Sequence, residues 1–140
     1  MSHRSQKFID GMARWLWPTL KFIFRIDVTG QENLPSGKAL IVANHNSGAL
    51  IESHSLVFLC NERNIPTLGL NHRALFQIPL VGKYFQKIGA IPATRDATLE
   101  AFKNNFPVLI FPGGNREAFR PLYDRYLLEM NLRSNRQPLP

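Results

Sequence analysis

Along residues 6–24, Phe8, Met12, Trp15, Thr19, Phe22 and Ile23 recur at helical spacing, while Lys7, Arg14, Lys21 and Arg25 recur on another face. The pattern predicts an amphipathic helix, kinked near its middle by Pro18. RIDVTG then reads as a short strand closing in a glycine turn, and ENLPSG as a loop of turn formers. KALIVAN reads as a buried strand whose apolar run stops at Asn44 and His45, and a Ser47-Gly48 turn leads into a helix over about residues 49–62. IPTLGL is the next strand. HRALFQIPLVGKYFQKI follows as a helical stretch divided by Pro79, then GAIPATR as a short strand or turn, a helix over about 96–105, and PVLIFP as a buried strand.

Strands alternating with helices in this way predict an α/β domain with a largely parallel central sheet flanked by helices. Residues 1–25 form the helix that precedes it, and residues 26–140 form the domain itself. Ligands of such sheets gather at the carboxyl ends of strands, where both His45 and the PGGNRE segment fall.

Composition narrows the partners. With 140 residues, 44% of them hydrophobic, the chain has material for one core and not for two. Its formal net charge is +7, and residues 1–25 hold Arg4, Lys7, Arg14, Lys21 and Arg25 against Asp10 alone. Such a surface attracts anions of any kind, nucleic acid or anionic lipid. Tryptophan and phenylalanine beside a basic stripe suit the headgroup region of an anionic bilayer; the same helix could equally pack on the domain, one face for each task. The basic residues carry no recognisable RNA- or DNA-binding motif, so nucleic acid is not expected as a partner. The longest apolar stretch of this helix, Trp15 to Leu20, ends at Lys21, far short of the roughly 20 residues needed to cross a bilayer. Cys60 is the single cysteine, which excludes an intramolecular disulfide and a multi-cysteine zinc site and favours a cytoplasm-facing compartment. His54 and His72 lack metal-ligand spacing to His45, so no metal is expected. Cys60 reads as a core residue, and Phe76, Tyr84 and Phe85 fit core packing better than the lining of an acyl channel, although one could do both.

The chemistry-bearing residues sit at two strand ends. A lone His between two asparagines is more often structural than catalytic, but FPGGNRE changes the balance. Gly113 and Gly114 let the backbone approach a ligand closely, Arg116 offers an anion binder and Glu117 an acceptor. The segment lacks the Lys-Ser/Thr ending of a nucleotide P-loop, which disfavours a kinase or ATPase.

Three blocks in order, ALIVANH, IGAIPATRDA and VLIFPGGNREAFRP, resemble those of the phospholipid/glycerol acyltransferase family over roughly residues 25–125. The resemblance implies an O-acyltransferase that moves an acyl group from a coenzyme A or acyl-carrier-protein thioester to a glycerolipid hydroxyl, with no cofactor beyond that co-substrate. It implies His45 as the base that deprotonates the acceptor hydroxyl, with an acidic neighbour orienting the imidazole. Backbone N–H groups around Gly113 and Gly114 would stabilise the oxyanion, and Arg95 and Arg116 would bind a phosphate of acceptor or donor. A location on the cytoplasmic face of a membrane follows from the same resemblance.

This sequence departs from the family pattern in three places. The usual first block is His-x4-Asp, but here Leu50 occupies the fifth position after His45 and the nearest acid is Glu52. On a straight helix that seven-residue offset is about 10 Å. Glu52 therefore serves only where a turn at Asn46–Gly48 folds His45 back over the helix start; Ser47 or Asn44 could orient the ring instead. Gly113 stands where lysophosphatidate enzymes carry Glu, which leaves the acceptor open. The ending NLRSNRQPLP lacks the family's apolar fourth block, so the chain is expected to be incomplete at its C-terminus, with an open sheet edge and an activity that truncation weakens or abolishes. The alternative reading is a non-catalytic membrane-binding module.

Overall fold

A computed structural model of the chain describes residues 3–44 and 50–113. Within them lie four α-helices, α1 (Gln6–Phe24), α2 (Leu50–Glu62), α3 (Pro79–Lys87) and α4 (Arg95–Lys103), and four strands, β1 (Leu40–Val42), β2 (Leu68–Asn71), β3 (Ala90–Pro92) and β4 (Val108–Ile110). The strands form one sheet in the order β1-β4-β2-β3, and every pairing is parallel. The alternation of apolar runs and helical periods is thus realised as the expected α/β architecture.

Right-handed crossovers put connections that move in opposite directions along the sheet on opposite faces. The steps β1 to β2 and β2 to β3 run one way, and β3 to β4 runs back. Accordingly Leu68, Ile91 and Val108 pack with Ala101 of α4 on one side. Ala90 packs with Phe85 and Ile88, at the end of α3, on the other. On that second side α1 lies across α2, burying Ile9, Trp17 and Leu20 with Val57 and Phe58.

The first helix runs unbroken from Gln6 to Phe24 through Pro18, and the Thr19 hydroxyl donates to the Trp15 carbonyl at 2.8 Å. Its buried arc differs from the stripe that the periodicity singles out. Phe8 and Met12 pack beside Phe85, but Trp15 and Phe22 are 78% and 86% exposed. Polar ties fix the crossing: Asn61 Nδ2 donates to Asp10 at 3.0 Å, and Lys21 pairs with Glu62 at 3.1 Å while its ammonium lies over the Trp17 ring. Hydrogen bonds from Asn61 and Gln6 hold the Asp10 carboxyl below the usual carboxylate range.

One predicted strand is absent. Arg25 ends α1 in the left-handed conformation (φ 47°), and among the described residues RIDVTG pairs with no strand. Its alternation is satisfied differently, because Ile26 and Val28 pack against the α1–α2 cluster while Asp27 stays exposed. The stretch divided by Pro79 behaves as expected, with a 3-10 turn at Arg73–Gln77 and Pro79 at the start of α3. Gly82 permits a close approach here, since a Cβ would lie 3.0 Å from the Phe76 carbonyl oxygen and the backbone of that turn would have to give way. Among the described strands β3 is at an edge, which tolerates Pro92. KALIVAN forms a strand but not the buried one expected: among the described residues β1 is the other edge, with a neighbour on one side only, and its Leu40 and Val42 are exposed.

Candidate active site

A parallel sheet delivers the carboxyl ends of all its strands to one edge. β1 and β4 are neighbours in register, Val42 opposite Ile110, and the Ala43 N–H continues the ladder to the Ile110 carbonyl at 3.0 Å. The chain therefore leaves towards His45 on one strand and enters the Pro112-Gly113 turn on the next, about one strand spacing of 5 Å away. Two segments 68 residues apart by that register, 110 − 42, are brought side by side. His45, Gly114, Arg116 and Glu117 themselves lie outside the described residues.

Glu52 and Arg95 are described, and the fold separates them. Glu52 is half-buried in the first turn of α2. Arg95 is exposed at the first position of α4, whose N-cap Thr94 accepts from the Ala97 N–H at 3.2 Å. It follows β3, two strands and about 10 Å from β4, and α4 covers the opposite face from α2. Arg95 thus shares the strand-end edge with Gly113 without adjoining it.

The sequence reading missed an apolar cleft of about 600 Å³ on the helical side. Leu16 and Leu20 of α1, Leu50 and Ile51 of α2, and Leu80 and Val81 of α3 form its walls. Leu50 and Leu80 stand at the starts of helices that follow β1 and β2, which places part of the cleft wall at the carboxyl edge of the sheet. His54, Tyr84 and Phe85 complete the lining. In sequence His54 reads as a histidine without ligand spacing, and Tyr84 as a core aromatic that could also line an acyl channel; their pairing is what the linear pattern does not show. No linear pattern joins residues 30 apart on different helices.

Their geometry is specific. His54 Nδ1 lies 2.5 Å from the Leu50 carbonyl oxygen and Nε2 lies 2.5 Å from the Tyr84 hydroxyl. A carbonyl oxygen can only accept, so Nδ1 carries the proton and Nε2 accepts from Tyr84. Burial pushes the His54 pKa below its ordinary value, although the Leu50 carbonyl works in the other direction. Burial likewise raises the Tyr84 hydroxyl and the Cys60 thiol. Cys60 is buried with the core, as expected, and its thiol is kept protonated. Among the described residues there is no group of three His, Cys, Asp or Glu side chains able to hold a metal ion, and no helix long and apolar enough to cross a membrane.

Comparison with known proteins adds a family. An uncharacterised protein of Mycobacterium leprae (strain TN) is 29% identical over 120 residues, covering 80% of this chain and 33% of its own length. Uncharacterised proteins of Mycobacterium bovis (strain ATCC BAA-935 / AF2122/97) and Mycobacterium tuberculosis (strain ATCC 25618 / H37Rv) are each 28% identical over 120 residues, covering 80% of this chain and 34% of theirs. The chain thus spans about a third of the length of these relatives. No solved structure matches. Residues 25–131 match the family described as Acyltransferase, a span that contains both strand ends of the site, and the chain belongs to that family.

Proposed function

We propose that the chain carries the acyl-transfer site of a glycerolipid O-acyltransferase, taking its acyl group from a coenzyme A or acyl-carrier-protein thioester. The observation that carries this reading is the in-register pairing of β1 with β4, from whose adjacent ends the His45 and Gly113-Gly114 segments emerge. The apolar cleft beside that edge supports a donor with a hydrocarbon chain.

In the proposed reaction, His45 takes the proton of the acceptor hydroxyl as that oxygen bonds to the thioester carbonyl carbon. The carbonyl electron pair moves to oxygen, where N–H groups at Gly113 and Gly114 stabilise it. Its return breaks the carbon–sulfur bond, and the departing thiolate takes the proton back from the imidazolium. Glu52 orients the imidazole, Arg116 and Arg95 bind phosphate on acceptor or donor, and Glu117 accepts from Arg116 or from substrate. The exposed Trp15 and Phe22, with Lys7, Arg14 and Arg25 also exposed on α1, favour an anionic membrane surface, on the cytoplasmic side where a thioester is available.

The test incubates the protein with vesicles containing acidic phospholipid and a lysophospholipid, adds acyl-CoA, and measures both free thiol and sedimented protein. Thiol release by the native chain, reduced at least about 10³-fold in His45→Ala with vesicle binding retained, is the expected result. Undiminished turnover in His45→Ala would remove the base assignment, and vesicle binding with no thiol release by the native chain would favour a non-catalytic membrane module.

A further inference from the structure

We propose that His54 and Tyr84 are positioning residues for acyl transfer, holding the first turn of α2, which immediately follows in the chain the segment that contains His45. The inference rests on the proposed role of His45 but concerns different residues.

Residues 45–49 connect two anchors. Upstream, Ala43 is tied to Ile110 by the sheet ladder. Downstream, the anchor is Leu50, whose carbonyl accepts from the Ser53 hydroxyl at 3.2 Å and from His54 Nδ1. His54 is in turn fixed by Tyr84: the hydroxyl donates to Nε2, and the two rings stack with centroids 5.8 Å apart at 26°. Tyr84 is itself wedged edge-on between Phe8 at 5.9 Å and Phe85 at 5.5 Å. A continuous relay therefore runs from α3 through Tyr84 and His54 to Leu50, the first residue of α2.

The remaining packing of α2 lies farther along the helix. Val57, Phe58 and Cys60 are buried, whereas the first turn contributes only the partly buried Ile51 to the core. The polar relay adds a lateral restraint to the turn that also holds Glu52. It sits in an otherwise apolar lining, where a hydrogen bond meets little competition from water and a lost partner leaves an acceptor unsatisfied. Neither residue takes part in the chemistry. They set where Leu50 stands, and misplacing a reacting group by about 1 Å can cost on the order of 10²-fold in rate.

Tyr84→Phe tests this directly, because it keeps the ring on the cleft wall and removes only the hydroxyl. We expect kcat to fall at least about tenfold, with KM for the acyl donor changed less than about twofold. Amide hydrogen exchange at residues 52–54 should accelerate about tenfold or more. His54→Phe should show the same loss, and the double variant little beyond it, since the two act as one unit. Val57→Ala is the control: it lowers thermal stability but leaves kcat and those amides alone. A Tyr84→Phe enzyme with unaltered kcat, while His45→Ala is dead, overturns the inference and spares the site. Should His45→Ala remain active, the site reading falls, and unaltered exchange at residues 52–54 would still refute the anchor.

Discussion

Two apolar regions on the same side of the sheet are built from the same residue types and end in opposite conditions. In the α1–α2 crossing, Phe58 and Ile9 are wholly buried, and the Trp17 ring meets Phe58 at 6.1 Å between centroids. A short distance away, leucines, Ile51 and Val81 line a cleft of about 600 Å³ whose rim residue Leu80 is 82% exposed. Closed packing gains dispersion contacts on all sides and stabilises the fold; an open apolar wall has forgone that gain and remains available to a hydrocarbon ligand. Leu20, which belongs to both, marks where one gives way to the other.

Substitutions should separate the two regions. Phe58→Ala, in the closed one, is expected to cost about 3–5 kcal/mol of folding stability, read from urea or thermal unfolding. A loss below about 1 kcal/mol would mean that the crossing is loosely packed. Leu80→Asp, on the open rim, should change stability by less than about 0.5 kcal/mol, as exposed positions do. It should nevertheless raise KM for a long-chain acyl donor about tenfold, the effect of withdrawing one leucine from a chain-binding wall. An unaltered KM would put the acyl chain elsewhere.

The smallest expected effect concerns pH. His54 spans both regions, packed edge-on to Phe58 and facing the cleft. Its folded pKa lies below the ordinary histidine value, so as pH falls the unfolded chain binds a proton first. Stability is therefore lost as pH drops from the ordinary value of about 6.5 towards the folded one, and levels off below it. The midpoint of urea unfolding should fall across this window in the native chain and fall less in His54→Phe. Equal slopes would show that His54 is not the group responsible.

Much of the layout was legible in the linear pattern. The bounds of α1 and α2, the division at Pro79, and the buried strand at PVLIFP follow from periodicity and punctuation and match the fold closely; KALIVAN does form a strand, but an exposed one, because an apolar run does not say whether its faces are covered. RIDVTG was not legible, because alternation records which side chains are buried and says nothing of whether a neighbouring strand is present to pair with. Of the site, the arrival of two blocks at strand ends could be inferred from the apolar runs that stop at Asn44 and after Ile110. The separation of Arg95 from Gly113 could not, since it depends on β2 lying between β3 and β4.

The sequence by itself determined the alternation of elements, the family, and which residues have the chemistry to act, because hydrophobic period and side-chain type are local properties of the chain. Only the tertiary structure decided that β4 inserts between β1 and β2, which arc of α1 is covered, and that Tyr84 reaches across a cleft to His54. Those outcomes depend on competition among many apolar surfaces for the same partners. That competition is settled by packing in three dimensions, which no window of sequence contains.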